Sequence, residues 1–262
     1  MAWREEVKEH YKKQAEVYHD SKQSTMADVF IRDKEVDELI KNIQKINTLF
    51  SESPNILEVG CGNGYLAQEL IKKIQNKITA IDFSEELLNV ARIRNLNNIQ
   101  FILGDATKLD FNDNSFDIVI TERCLINLES WEQQKEALEE IHRVLRPGGY
   151  FIMIEAFTDG WRNTNEARNV VGLSPIPQPH HNVFFKKDIF HNFIQSIFDF
   201  AELGQKENFL STYYFGSRVL YPAMINQKKE LVYNNKFNEF FSHLPEAGNY
   251  ASIQQFILKK KV

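Results

Sequence analysis

Several things are scarce in this chain of 262 residues, and each scarcity removes a class of protein. There are two cysteines, Cys61 and Cys124, too few for a disulfide framework. No long uncharged apolar run is present, so nothing reads as a transmembrane helix. The first twenty residues, MAWREEVKEHYKKQAEVYHD, are charged and lack the apolar centre of a signal peptide. A basic excess is missing too: the net charge is −5, which argues against a nucleic-acid footprint. Internal repeats and low-complexity tracts are absent. No His/Cys/Asp cluster has ligand spacing, so no metal is expected. What remains is a cytoplasmic protein, a monomer or homodimer with no membrane insertion. Its 43% hydrophobic content is enough for one large domain.

The apolar pattern organises that domain. Val7, Tyr11, Ala15 and Tyr18 recur at helical spacing and predict a helix over 1–21; a second is expected over 26–49. Short apolar runs then alternate with helical stretches: NILEVG, GYLAQELIKKI, ITAIDF, SEELLNVARIRN, IQFILGD, FDIVITER, a helix at 131–145, and GYFIMIEAF. This alternation implies parallel strands joined by crossovers. RPGG at 146–149 reads as a stop and turn before the fifth strand. Residues 156–183 hold Gly160, Gly172, Pro175, Pro177 and Pro179 with little periodicity and read as a long functional loop. A helix at 186–198, a strand near 199–209 and a last strand at 250–260 follow. The expected fold is α/β: a Rossmann-like doubly wound sheet of seven strands, mostly parallel with an antiparallel C-terminal strand. In this division 1–50 is a helical cover, 51–155 the cofactor-binding core, and 186–209 with 250–262 the rest of the core. Residues 156–185 and 210–249 are lid insertions.

The stretch ILEVGCGNG carries the chemistry. After a buried strand, Gly60, Gly62 and Gly64 let the backbone turn and approach a ligand at the strand end. The spacing E-x-G-x-G-x-G is not the G-x-G-x-x-G of a dinucleotide site. With AIDFS, GDA, FDIVITE and LRPGG in order over residues 54–155, the chain resembles class I S-adenosylmethionine-dependent methyltransferases.

That resemblance implies S-adenosyl-L-methionine as cofactor, S-adenosyl-L-homocysteine as product, and a set of cofactor contacts. Glu58 orders the glycine loop, while Gly60, Cys61, Gly62 and Gly64 lie against the methionine and ribose. Asp82 accepts from the ribose hydroxyls, Phe83 lies along the adenine, and Asp105 and Ala106, next to Gly104, meet the adenine edge. Thr121 and Glu122 close the fourth strand. HYKKQAEVYHD resembles a helix that covers the cofactor, with Tyr18 or Tyr11 near the methionine end; both tyrosines could equally just pack a helix on the sheet. Arg32 is assigned to the cofactor carboxylate, the alternative being a surface pair with Asp28 or Glu35. Related enzymes place a His after the fourth strand where this chain has Asn127, so no catalytic His is carried onto it.

The acceptor site is expected from the insertions, with His180, His181, Tyr213, Tyr214 and Arg218 as substrate contacts and His181, Tyr18 and Arg218 as catalytic candidates. Arginines and histidines over the cleft favour an anionic small molecule. PHHNVFF and STYYFGSRVLYP also resemble methyltransferases of bacterial surface-polysaccharide biosynthesis. This implies O-methylation of a capsular phosphoramidate or a nucleotide-linked sugar. Rivals are N-methylation of a small amine, an NAD-dependent oxidoreductase, an inactive binding subunit, and an RNA or protein methyltransferase.

Overall fold

A computed structural model describes residues 3–24, 26–203, 207–225 and 231–261. Its centre is a seven-stranded sheet in the order β3-β2-β1-β4-β5-β7-β6. The strands are β1 (Ile56–Val59), β2 (Ile78–Asp82), β3 (Ile99–Leu103), β4 (Phe116–Glu122), β5 (Leu145–Ala156), β6 (Phe198–Phe200) and β7 (Ile253–Lys260). β1 to β5 pair in parallel, and β7 runs antiparallel to both β5 and β6. The reversal of strand order between β1 and β4 makes a crevice at the C-terminal ends of these strands. Every residue of β1 is buried, which is why it reads as a continuous apolar run broken only by Glu58.

The helices are α1 (Trp3–Tyr18), α2 (Val29–Asn47), α3 (Tyr65–Ile71), α4 (Glu85–Ile93), α5 (Trp131–Val144), α6 (Thr158–Val170) and α7 (Lys187–Ile197). Near the C-terminus α8 (Ser211–Phe215) runs through a π-helical turn (Gly216–Leu220) into α9 (Tyr221–Met224), and α10 (Lys236–Ser242) follows. Several starts are capped by side chains: Asp28 accepts from the Phe30 and Ile31 amides, Ser84 from Leu87 and Ser130 from Gln133.

Three expectations are corrected. The region 156–183 is not one long loop, because α6 occupies its first half. The apolar period there is missing because the buried face of α6 is Gly160, Thr164 and Arg168, a small and polar stripe. Thr164 donates to the Tyr250 carbonyl, and Arg168 donates to the carbonyls of Ser174 and Arg218. The strand expected at 199–209 shrinks to Phe198–Phe200, and residues 204–206 lie outside the described residues. RPGG does not separate a helix from β5 but forms its irregular first residues, with a register shift opposite Phe116 and Ile118.

Gly160 lets α6 lie on the segment entering β7: a Cβ there would sit 1.8 Å from the Ala251 carbonyl oxygen. Gly160→Ala is therefore expected to cost at least about 1–3 kcal/mol in urea unfolding, the range for overpacked sites. An unchanged midpoint would mean that α6 moves freely on β7.

Candidate active site

The crevice holds a cavity of about 570 Å³. One side is built by the loops after β1, β2 and β3. In the first loop Gly60 has φ 84°, and a Cβ on it would lie 2.5 Å from Cys124 Sγ. Only glycine lets the turn pass this close to the end of β4. The Gly62 amide donates to Asp82 Oδ2 at 2.7 Å, and the Ser84 amide to Oδ1 at 2.9 Å. With the Phe83 amide also supporting it, the carboxylate keeps acceptor capacity for a ligand hydroxyl. Burial pushes the Asp82 carboxyl up to about 6, against the backbone amides that favour its charged form.

Gly62, Phe83, Gly104, Asp105 and Ala106 line the same cavity, as do Cys61, Glu122, Arg32, Tyr11 and Tyr18. Asp105 is already engaged: Oδ1 accepts from Thr107, and Oδ2 from Arg4 at 2.6 Å. Burial opposes ionisation there, but those bonds and the Arg4 charge hold the carboxyl below its ordinary value.

Behind this wall lies a buried charge cluster. Arg32 Nη1 donates to Glu122 at 2.9 Å, and Nη2 to the Ser24 carbonyl. A buried partner of Arg32 is thus Glu122, and the pair is not on the surface. Arg123, with a positive φ of 51°, lies 3.3 Å from Glu35. Burial raises the Glu35 carboxyl well above its usual value, whereas the Arg32 and Arg123 charges overcome burial and lower that of Glu122.

Four expected contact residues, Gly64, Thr121, Tyr213 and His180, lie away from the cavity. Glu58 is sealed inside β1; burial, then the Glu122 and Asp82 charges, raise its carboxyl to about 8. Gly64 caps α3 and faces Ala91 and Phe101, not the cavity. Thr121 is fully buried on β4 and outside the wall, because strand alternation turns it away. Tyr213 is fully buried and donates to Asp28 Oδ1 at 2.7 Å. His180 points outward to Glu6, 2.7 Å away.

His181, Tyr214 and Arg218 do line the cavity. His181 stacks on His10 of α1, with ring centroids 4.1 Å apart. Burial and the neighbouring His10 and His180 push it down to about 4, and its Nδ1 is sealed without a partner. A ring that weakly basic is poorly suited to take a proton from a neutral hydroxyl. Arg218 Nη1 donates to Asp28 Oδ2 and to Ser217 Oγ, each at 2.6 Å. Its guanidinium lies over the rings of Tyr214 and Tyr233, at 4.5 and 4.8 Å from their centroids.

Asn127 was visible only as the place of a missing His, yet it is a hub. Its Oδ1 accepts from Tyr11 Oη at 3.0 Å and Asn182 Nδ2 at 2.8 Å, and its carbonyl from Trp3 Nε1 at 2.9 Å. One residue thereby ties α1 and the 171–186 segment to the end of β4. Glu155 caps the turn that presents Asn127, accepting from the amides of Cys124, Leu125 and Ile126. Burial raises its carboxyl to about 7. Among the described residues, no group of three or more His, Cys, Asp or Glu is placed to hold a metal ion, and no helix is long and apolar enough to cross a membrane.

The raised carboxyls set the sign of a pH dependence. Between the ordinary carboxylate range and about 8, Glu58, Glu155 and Asp82 hold protons in the folded state that the unfolded chain has released. Their contribution is full below the unfolded pKa and is lost as pH rises through the folded values. Above about pH 6.5, where the buried histidines no longer add an opposing slope, urea unfolding should therefore give falling stability up to pH 8, with Glu58→Gln flattening the slope. An equally steep slope in that variant would remove Glu58 from the cause.

Residues 56–149 match the sequence model of a family described as "Methyltransferase domain". A demethylmenaquinone methyltransferase of Chlorobaculum tepidum is 38% identical over 102 residues, which is 39% of this chain and 40% of that protein. A ubiquinone/menaquinone biosynthesis C-methyltransferase of Rickettsia prowazekii is 36% identical over 129 residues, 45% of this chain and 48% of that one. The chain thus spans less than half the length of these relatives. Among solved structures, a sarcosine dimethylglycine methyltransferase candidate from Galdieria sulphuraria superposes with TM-score 0.57 at 15% identity, covering 87% of this chain and 86% of that one. The [4+2]-cyclase SpnF superposes with TM-score 0.56 at 20% identity, covering 86% and 82%. Likeness at that identity concerns the fold alone, and one fold carries different activities. Residues 56–149 thus match a methyltransferase domain set on a Rossmann-like sheet, a match that implies S-adenosylmethionine as the cofactor.

Proposed function

We propose that the chain transfers a methyl group from S-adenosylmethionine to a small-molecule acceptor bound in the same cavity. The observation that carries this reading is the continuity of the cavity. It runs from Asp82 and Asp105, over β2 and β3, to Trp161, Tyr214 and Arg218, over β5 and β7. The cofactor supplies a methyl on a sulfonium, open to in-line displacement. The protein's task is to orient the acceptor and exclude water, and orientation of this kind is worth roughly 7–11 kcal/mol. Trp3 and Tyr11, bonded to Asn127, support α1 as the cover that excludes water. Trp161, His181, Tyr214 and Arg218 come from 156–185 and 210–249, which supports these segments as the acceptor side.

The surface-polysaccharide reading is not supported by the relatives, whose names point to quinone biosynthesis. Because this chain spans less than half of them, the acceptor has to be read from its own walls. An NAD-dependent oxidoreductase is disfavoured by the glycine spacing.

Calorimetry with S-adenosylhomocysteine and NAD tests this reading. The first should bind and the second should not. Asp82→Ala should weaken S-adenosylhomocysteine at least tenfold, since bonds to a charged acceptor contribute about 1.5–3 kcal/mol each. In the wild type, affinity should fall as pH drops through about 6, where Asp82 protonates and loses acceptor capacity. NAD binding, or unchanged affinity in a folded Asp82→Ala variant, would refute it.

A further inference from the structure

The charge balance of the cavity argues against the anionic acceptor that the sequence suggests. Four arginines and no lysine line it among the described residues. Each has a carboxylate close by: Arg4 with Asp105 at 2.6 Å, Arg32 with Glu122 at 2.9 Å, Arg123 with Glu35 at 3.3 Å and Arg218 with Asp28 at 2.6 Å. Both wall histidines, His10 and His181, have lowered pKa values through burial and so are neutral near pH 7. Asp82, Glu129 and Glu136 also line the cavity. At the acceptor end, where Asp28 balances Arg218 and the wall histidines are neutral, an acceptor bearing a full negative charge would lose its hydration and find no uncompensated cation.

The walls on the acceptor side are built for something else. Trp161, Ile176, Pro177, Phe184, Tyr214 and Tyr233 line that end. They are held in place before any ligand arrives. Trp161 Nε1 donates to the Ile176 carbonyl at 3.0 Å, so the indole's one donor is used and its ring is left for contact. Asn165 clamps the same strap, donating to the Ile176 carbonyl at 3.1 Å and accepting from its amide at 2.7 Å. Phe184 stands edge-on to Trp161 with centroids 6.4 Å apart. Tyr214 Oη is anchored to Ser252 Oγ at 3.3 Å. Fixed aromatic faces bind flat apolar bodies at low entropic cost.

Arg218 is the charged side chain among the described residues at this end. A guanidinium has five N–H donors. Those of Arg218 Nη1 go to Asp28 and Ser217 and a further one meets Tyr213, which leaves donor capacity for a single ligand oxygen. Because Asp28 already balances its charge, Arg218 can bond a neutral hydroxyl or carbonyl without requiring an anion. The π-helical turn Gly216–Leu220 presents it, and such turns are frequent at functional sites.

We infer that the acceptor is a neutral, flat ring compound bearing a hydroxyl or carbonyl oxygen, its ring between Trp161, Phe184 and Tyr214 and its oxygen on Arg218. This rests on the methyltransferase reading for its meaning as an acceptor site, but binding of the ring can be measured apart from it.

The probes are 2-naphthol, 2-naphthoate and glucose 1-phosphate, titrated by calorimetry with and without S-adenosylhomocysteine. The expected order is 2-naphthol at least tenfold tighter than 2-naphthoate, with glucose 1-phosphate weakest. Trp161→Ala should weaken 2-naphthol at least tenfold and leave S-adenosylhomocysteine affinity within twofold. Asp28→Asn keeps an oxygen for its cap but uncovers the Arg218 charge, and should shift the ratio toward 2-naphthoate. If that variant does not fold, the wild-type order and Trp161→Ala still decide. Tighter binding of 2-naphthoate or glucose 1-phosphate by wild type would overturn the inference, while S-adenosylhomocysteine binding left intact would spare the wider reading. Binding of 2-naphthol with no S-adenosylhomocysteine binding would uphold the ring site and sink the methyltransferase reading.

Discussion

The cavity wall formed by the late segments depends on one buried carboxylate, Asp28. It is 1% exposed and accepts from four donors: the amides of Phe30 and Ile31, the Tyr213 hydroxyl and Arg218 Nη1. Each bond does a different task. The amides start α2, the tyrosine docks α8 against it, and the arginine is held at the cavity wall. A buried charge is tolerated only when its lone pairs are filled this way, and removing one partner of such a pair commonly costs about 3–5 kcal/mol. The N-terminal and C-terminal parts of the chain are therefore joined at a point that also sets the charge of the pocket.

The same rule operates under the cofactor side with a different outcome. Arg32, Arg123, Glu122 and Glu35 come from α2 and the end of β4, beside Glu58 on β1 and Asp82 on β2. Three carboxyls, Glu122, Glu35 and Glu58, share two guanidiniums, so they cannot all be ionised cheaply in low dielectric. Glu122, paired with both arginines, keeps its charge; Glu35 and Glu58 shift toward the neutral form. Asp82 lies between these cases because backbone amides support its charge. The oxygens meant for a ligand and the cluster behind them thus titrate in linked fashion.

Asn127 adds a mechanical constraint. Neither α1 nor the 171–186 segment belongs to the sheet; Asn127 bonds both, and the Val183 and Phe185 amides tie the segment further to the carbonyls of Ile126 and of Ala156 on β5. Glu155 makes the turn rigid by accepting three successive amides. The cover over the cavity is consequently bonded to the end of β4 at the boundary between its two sides.

How much of this could be read from the chain follows from the range of the interactions. Strand runs such as ILEV and FDIVITE, the serine caps at Ser84 and Ser130, and the glycines after β1 are local signals. They specify the sheet, its order of elements and the cofactor loops, because backbone conformation and burial of short segments are decided within a few residues. α6 was missed because Gly160, Thr164 and Arg168 bury their face by hydrogen bonds and close approach to distant segments, not by an apolar stripe. Arginine and histidine in the late segments suggested an anion, as uncounted charges would. Only the tertiary structure brings Asp28 to Arg218, 190 positions away, and Glu122 to Arg32, 90 positions away. Sequence by itself determined which backbone would cradle a ligand; the fold decided which charges survive in that cradle, since compensation depends on distances between residues far apart in the chain.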